Sequence, residues 1–224
     1  MFIESKDFRE ILSRPEIRVS CSGLARIQDD QGRYVLMTNR GVLRHSNLKT
    51  LTPIGGGIML TAEGKLFAQD AFDVKSFERD LDMRFTMPGS KAGELMTWFQ
   101  SRQGREIDPR REVEEELTQE FPHLLHPEMT RGTIAQLEGF HSYIAPSPIY
   151  GALTLYLTEV SAITLPDQAL TRLLEHSETA DEPWIHLVTA SEIKSGFTNS
   201  GIEIGRISES LIYYGHGKRR IPTR

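Results

Sequence analysis

The sequence predicts an α/β protein in which a mixed sheet lies between helices. Strand-like alternation and helix-like periodicity interleave along the chain, and neither an internal repeat nor a low-complexity linker divides it. Of its 224 residues 38% are hydrophobic and 25% charged, enough apolar material for one large core without disulfides or a structural metal.

Residues 7–12 have a helical pattern that stops before Pro15. Ile17-Arg18-Val19-Ser20-Cys21-Ser22-Gly23-Leu24-Ala25-Arg26-Ile27 then alternates as a half-buried strand does. Asp29-Asp30-Gln31-Gly32 supplies a turn and Tyr34-Val35-Leu36-Met37 a buried strand, so a hairpin is expected. A third short strand runs into Thr52-Pro53-Ile54-Gly55-Gly56-Gly57. The three glycines serve either as a plain tight turn or as backbone that a ligand can approach closely.

Residues 58–103 hold a helical pattern at 63–71, a strand at 82–87 ended by Pro88-Gly89, and an amphipathic helix at 92–102 with Leu95, Met96, Trp98 and Phe99 on its apolar side. Phe67, Phe72, Phe77, Phe85, Trp98 and Phe99 would be costly to leave in water, so the segment reads as an ordered elaboration, with Trp98 in the core. Asp108 is the expected N-cap of the next helix, Pro109 its first residue, and Phe121-Pro122 its end. Strand patterns at 133–143 and 150–160 flank a loop with Pro146 and Pro148. A helix at 167–176, a polar loop at 175–182, a strand at 184–188 and a closing helix at 202–214 complete the chain.

The single cysteine, Cys21, has no disulfide partner and reads as a small buried residue, which fits a reducing cytosol. No run of 18 apolar residues occurs and the first residues lack the apolar core of a secretory signal, so a soluble cytoplasmic protein without membrane association is expected. With 31 acidic and 26 basic residues, the formal net charge of −5 attracts neither a nucleic-acid duplex nor an anionic membrane. Phosphates must then be handled locally or through a metal. The basic tail of Lys218, Arg219, Arg220 and Arg224 reads as a solvated terminus.

On the helix after Asp108, Glu112, Glu115 and Glu116 stand at i, i+3 and i+4, which on an α-helix projects three carboxylates from one face while Val113 and Leu117 project toward the core. Like charges so spaced cost an isolated helix roughly 0.2–0.5 kcal/mol per pair, and a cation would relieve the repulsion. Oxygen ligands without His or Cys suit Mg2+ or Mn2+ rather than zinc. The alternative is a solvated face, partly neutralised by Arg110–Glu114 and Arg111–Glu115 pairs.

Arg111-Glu112-Val113-Glu114-Glu115-Glu116 resembles the second half of the signature of the Nudix hydrolases, and Pro53-Ile54-Gly55-Gly56 resembles its opening. The resemblance implies a Nudix-type α/β/α sandwich with a mixed sheet, spanning 1–224, with 58–103 as a long insertion inside the signature. It implies Glu112, Glu115 and Glu116 as metal ligands, one of them a base toward water, with Arg111 holding a carboxylate and Gly55 and Gly56 shaping the loop under a diphosphate. Departures are the run between Gly56 and Arg111, which is far longer than in the family, Gln103 in register with the intermediate glutamate, and Thr118 where the family has glycine. Glu63 or Glu106 are the candidates to replace that acid.

A closer resemblance is to the Nudix-like proteins encoded beside SMODS-type second-messenger nucleotidyltransferases in bacterial anti-phage loci. It rests on Arg14-Pro15 leading into Arg18-Val19-Ser20, the Pro-x-Gly-Gly, Asp80-Leu81-Asp82-Met83-Arg84-Phe85, Trp98-Phe99, and Arg105-Glu106-x-Asp108-Pro109-x-Arg111-Glu112. It implies a Mg2+- or Mn2+-dependent hydrolase of a nucleoside-diphosphate-linked compound or nucleotide second messenger. The rival is a nucleotide sensor without turnover, which Gln103 favours because an amide cannot act as a base at neutral pH. Glu175, Glu178 or Glu182 could add a fourth carboxylate. A homodimer is compatible with the sequence, which does not fix an oligomeric state.

Overall fold

The computed structural model describes residues 5–119, 124–147, 151–181 and 183–212. In chain order the elements are α1 (Ser5–Ser13), β1 (Ile17–Arg26), β2 (Tyr34–Thr38), α2 (Arg40–Ser46), β3 (Thr50–Gly57), α3 (Ala62–Phe72), β4 (Ser76–Phe77), β5 (Arg84–Met87), α4 (Ala92–Ser101), α5 (Arg110–Glu114), β6 (Ile134–Pro146), β7 (Leu153–Thr164), α6 (Asp167–Thr179), β8 (Ile185–Val188), α7 (Ala190–Ser195) and β9 (Glu203–Ile204). The expected stops at Phe121-Pro122, Pro148 and the basic tail lie outside the described residues.

β1 is the axis of the sheet. One edge pairs in parallel with β7, from Arg18 opposite Thr154 to Arg26 opposite Ala162. The other edge pairs antiparallel with β5 over Ile17–Ser20 and with β3 over Ser22–Ala25. β6 lies antiparallel on β7, with a register shift between Leu137 and Gly139. β3 pairs first with β2 over Leu51–Pro53 and then with β1 over Ile54–Gly57, so Pro53 sits where the strand changes partners and its missing N–H costs little. β8 adds to β2 and β9 to β3. The outcome is an α/β fold with a mixed sheet, as the interleaved patterns predict.

The expected hairpin is confined to its tip. Val35 N–H donates to Ile27 O at 3.0 Å, and the buried Asp29 carboxylate accepts from the N–H groups of Gln31 and Arg33. Beyond that turn β1 and β2 part, and β3 pairs with both. Local alternation reveals a turn between two strands, but the partner of each strand is a long-range choice.

Three apolar clusters surround the sheet. Phe72, Trp98 and Phe99 from α3 and α4 pack with Val19, Cys21, Leu155 and Leu157. Residues 58–103 thus contribute α3, β4, β5 and α4, and the rings of Phe67, Phe72 and Trp98 lie 5.3–5.7 Å apart. Val113 and Leu117 pack with Ile54, Ala169 and Leu173, which seats α5 between β3 and α6. Leu36, Leu51, Val188, Ile193 and Leu211 form the third cluster. Among the described residues no helix is long and apolar enough to cross a membrane.

A buried ion pair ties the sheet to the segment before α5. Arg105, 4% exposed, donates to Glu159 Oε2 at 2.6 Å and to Phe99 O at 2.8 Å, with its guanidinium over the Phe99 ring. Glu159, on β7, also pairs with Arg102 at 2.7 Å. Glu106 follows immediately, its N–H bonded to Met59 O, so the start of α5 is fixed from both sides.

Candidate functional site

The site is built on the glycine end of β3. Gly55 has φ +139°, and a Cβ there would come within 3.0 Å of Gly23 O, so only glycine fits. A Cβ on Gly56 would come within 3.0 Å of the whole Glu112 carboxylate. The glycine run is therefore strand, not a tight turn, and its use is close approach of charged side chains to the backbone.

From the other side comes α5. Asp108 Oδ1 accepts from Arg110 N–H at 3.0 Å, and the helix begins at Arg110 rather than at Pro109 as expected. After Glu114 the chain continues as a π-helical turn, Glu115–Gln119, in which Thr118 Oγ1 donates to Glu114 O at 2.7 Å. An α-helical face for the three glutamates is thereby corrected: Glu115 and Glu116 belong to a turn of different period. Glu116 Oε2 accepts the Gly55 N–H at 2.9 Å, while Glu112 and Glu115 turn to Arg111.

Arg111 is the hub. It donates to Glu106 at 3.0 and 3.1 Å, to Glu112 at 2.6 Å, to Glu115 at 2.9 Å and to Gly57 O at 3.1 Å. Burial opposes its charge, but the hydrogen bonds and charge of Glu106 and the charge of Glu112 outweigh this and raise its pKa further. Burial raises the Glu112 carboxyl above the ordinary range. Arg111 pulls it down and the charges of Glu115 and Glu106 push it up. Of the two pairs that a solvated face would offer, Arg111–Glu115 forms, whereas Arg110 turns back to Asp108.

These groups line a cleft of about 590 Å³ with Met59 and with Arg79, Asp80, Leu81, Asp82 and Arg84 from the segment before β5. Asp82 and Arg84 pair at 2.9 Å, and a Cβ on Gly57 would come within 3.0 Å of both. Asp80, Asp82, Glu112, Glu115 and Glu116 thus face Arg79, Arg84 and Arg111, five carboxylates against three guanidinium groups. This hard-oxygen set with an excess of negative charge suits a divalent cation. Among the described residues, no three carboxylate, imidazole or thiol groups converge on one point as a ready-made cage.

Gln103 is exposed and does not line the cleft; the acid that meets Arg111 is Glu106, and Glu63 stays exposed on α3. The polar loop expected at 175–182 is largely helix, since α6 runs to Thr179. Glu175 and Glu178 are exposed there and do not line the cleft, and Glu182 lies outside the described residues. The cleft acids that sequence reasoning missed are Asp80 and Asp82. Their signal was the Asp-x-Asp spacing in a segment that served only as a point of resemblance.

Residues 16–212 match the family model of the SMODS-associated NUDIX domain. The chain belongs to that family. Searches of the curated proteins and of the solved structures found no match. As a SMODS-associated NUDIX domain the chain has the Nudix α/β fold, and that membership suggests a hydrolase of nucleotide-linked compounds with a nucleotide-type small-molecule ligand.

Proposed function

We propose that this NUDIX domain is a cytoplasmic, Mg2+- or Mn2+-dependent hydrolase of a nucleoside-diphosphate-linked compound or nucleotide second messenger, serving bacterial anti-phage defence. The observation that carries the reading is that Glu112 and Glu115 on Arg111, and Glu116 on the Gly55 N–H, come together beside Gly55 and Gly56 at the wall of one cleft. Glu112, Glu115 and Glu116 would hold the cation, whose part is to neutralise diphosphate charge and make bound water acidic.

The chain's own residues do the rest. Gly55 and Gly56 let the Glu116 and Glu112 carboxylates lie against the β3 backbone and so shape the wall beside which a diphosphate would bind. Arg111 orients Glu112 and Glu115, and Glu106 holds Arg111 in that position. Glu112 or Glu116 takes a proton from the attacking water. A bond forms between the water oxygen and phosphorus, the bond to the bridging oxygen breaks, and the electron pair leaves with the departing phosphate.

A nucleotide sensor without turnover has one observation in its favour: Arg111 bridges Glu112 and Glu115 within the protein, so part of their mutual repulsion is relieved without a cation. Incubation with dinucleoside polyphosphates, ADP-ribose, NAD and cyclic oligonucleotides plus Mg2+ or Mn2+, read by chromatography, separates the two. Cation-dependent cleavage of one compound supports the hydrolase. Tight binding of one compound without cleavage under any cation gives the sensor.

A further inference from the structure

We propose that Arg79 binds the diphosphate of the ligand through a phosphoryl oxygen, and so sets a preference for diphosphates over monophosphates. The inference rests on the reading of the cleft as a nucleotide-diphosphate site and goes beyond it, because the signature residues do not include the segment before β5. Every other charged side chain from 78 to 84 is paired: Glu78 with Arg18, Asp80 with Lys65, and Asp82 with Arg84. Arg79 is exposed and lines the cleft, yet it makes no ion pair or hydrogen bond among the described residues.

The other two lining arginines are committed. Arg84 is held by Asp82, and Arg111 by Glu106, Glu112 and Glu115. An anion entering the cleft could use either one only by breaking a pair. Arg79 needs no such exchange, and a guanidinium is suited to two oxygens of one phosphoryl group. The carboxylate excess of the other lining groups repels an anion, so the uncommitted cation decides how far a second phosphate is tolerated.

The probes are inorganic pyrophosphate and inorganic phosphate, each with Mg2+, titrated by calorimetry into the whole chain. Arg79→Ala should weaken pyrophosphate about tenfold and phosphate less than twofold, Arg79→Lys should recover part of the loss, and Arg79→Glu should abolish binding. Melting temperatures should stay at the wild-type value, since the side chain is exposed. For any compound the chain cleaves, KM should rise more than kcat falls. Equal pyrophosphate affinities in wild type and Arg79→Ala, or equal losses for both probes, overturn the proposal. So does wild type that fails to bind pyrophosphate at millimolar concentration. None of these results depends on turnover, so a failed cleavage panel and a failed Arg79 assignment are told apart.

Discussion

At the scale of single residues the site depends on what is missing as much as on what is present. Gly56 has the Glu112 carboxylate where its Cβ would be. Gly56→Ala must therefore push Glu112 away from β3 or strain the strand. Overpacking of this kind costs about 1–3 kcal/mol, and a displaced carboxylate costs turnover as well. Activity should fall more than tenfold while a thermal melt still shows a cooperative transition; wild-type kcat in the variant would show that Glu112 can move without consequence. Glu116→Gln is the complementary case. An amide oxygen can still accept the Gly55 N–H, so the melting temperature should stay within a few degrees, whereas a lost ligand or base should lower turnover about a hundredfold. A large drop in melting temperature with turnover intact would assign Glu116 a structural role instead.

At the scale of elements, the sequence showed the helix that carries the glutamates, the glycine run and the helices of residues 58–103. Each of these is written in local chemistry: an Asp-Pro start, a run of Gly, an apolar stripe. It did not show the π turn at Glu115–Gln119, since Thr118 looks like an ordinary helical residue until its hydroxyl is seen on Glu114 O. Nor did it show Asp80 and Asp82 in the cleft, because the pairing of β5 with β1 that brings them there is long-range. Which acid, Glu63 or Glu106, stands beside Arg111 was open in the sequence; it is Glu106, held next to the Arg105–Glu159 anchor. That anchor yields a prediction. Arg105→Ala leaves Glu159 buried with only Arg102 as its ionic partner, a loss on the order of 3 kcal/mol, and loosens the start of α5. The urea midpoint should fall clearly, and activity at temperatures below the melt should fall too; an unchanged midpoint would mean that Arg102 alone suffices.

For the whole molecule, the response to acid should be set by histidines before carboxylates. His141, 7% exposed, has its pKa lowered to about 4 by burial and then by the charge of Arg206, with Nδ1 3.0 Å from Ser210 Oγ. His186 is lowered to about 4 by burial and then by Lys49, although a Pro183 backbone contact opposes this. A histidine whose folded pKa lies below its unfolded value of 6.5 gives stability that is present above 6.5 and lost as pH falls toward about 4, because only the unfolded chain takes up the proton in that window. By pH 5 the loss is on the order of 2 kcal/mol for the buried His141 and smaller for the half-buried His186, where solvent screens the effect. Asp29, Asp108 and Glu192 act in the same direction at lower pH, since hydrogen bonds from Arg33, from Arg110 and from the Thr189 and Asn199 backbone outweigh burial and lower them. Glu112, Glu138 and Glu159 act the other way: burial raises them against the pull of Arg111, Arg26 and Arg105, so protonation favours the folded state. The melting temperature should therefore decline already between pH 7 and pH 5. His141→Gln, which keeps a polar group toward Ser210 but cannot titrate, should flatten that decline. Parallel pH profiles for wild type and His141→Gln would place the acid response elsewhere, in His186 or in the lowered carboxylates.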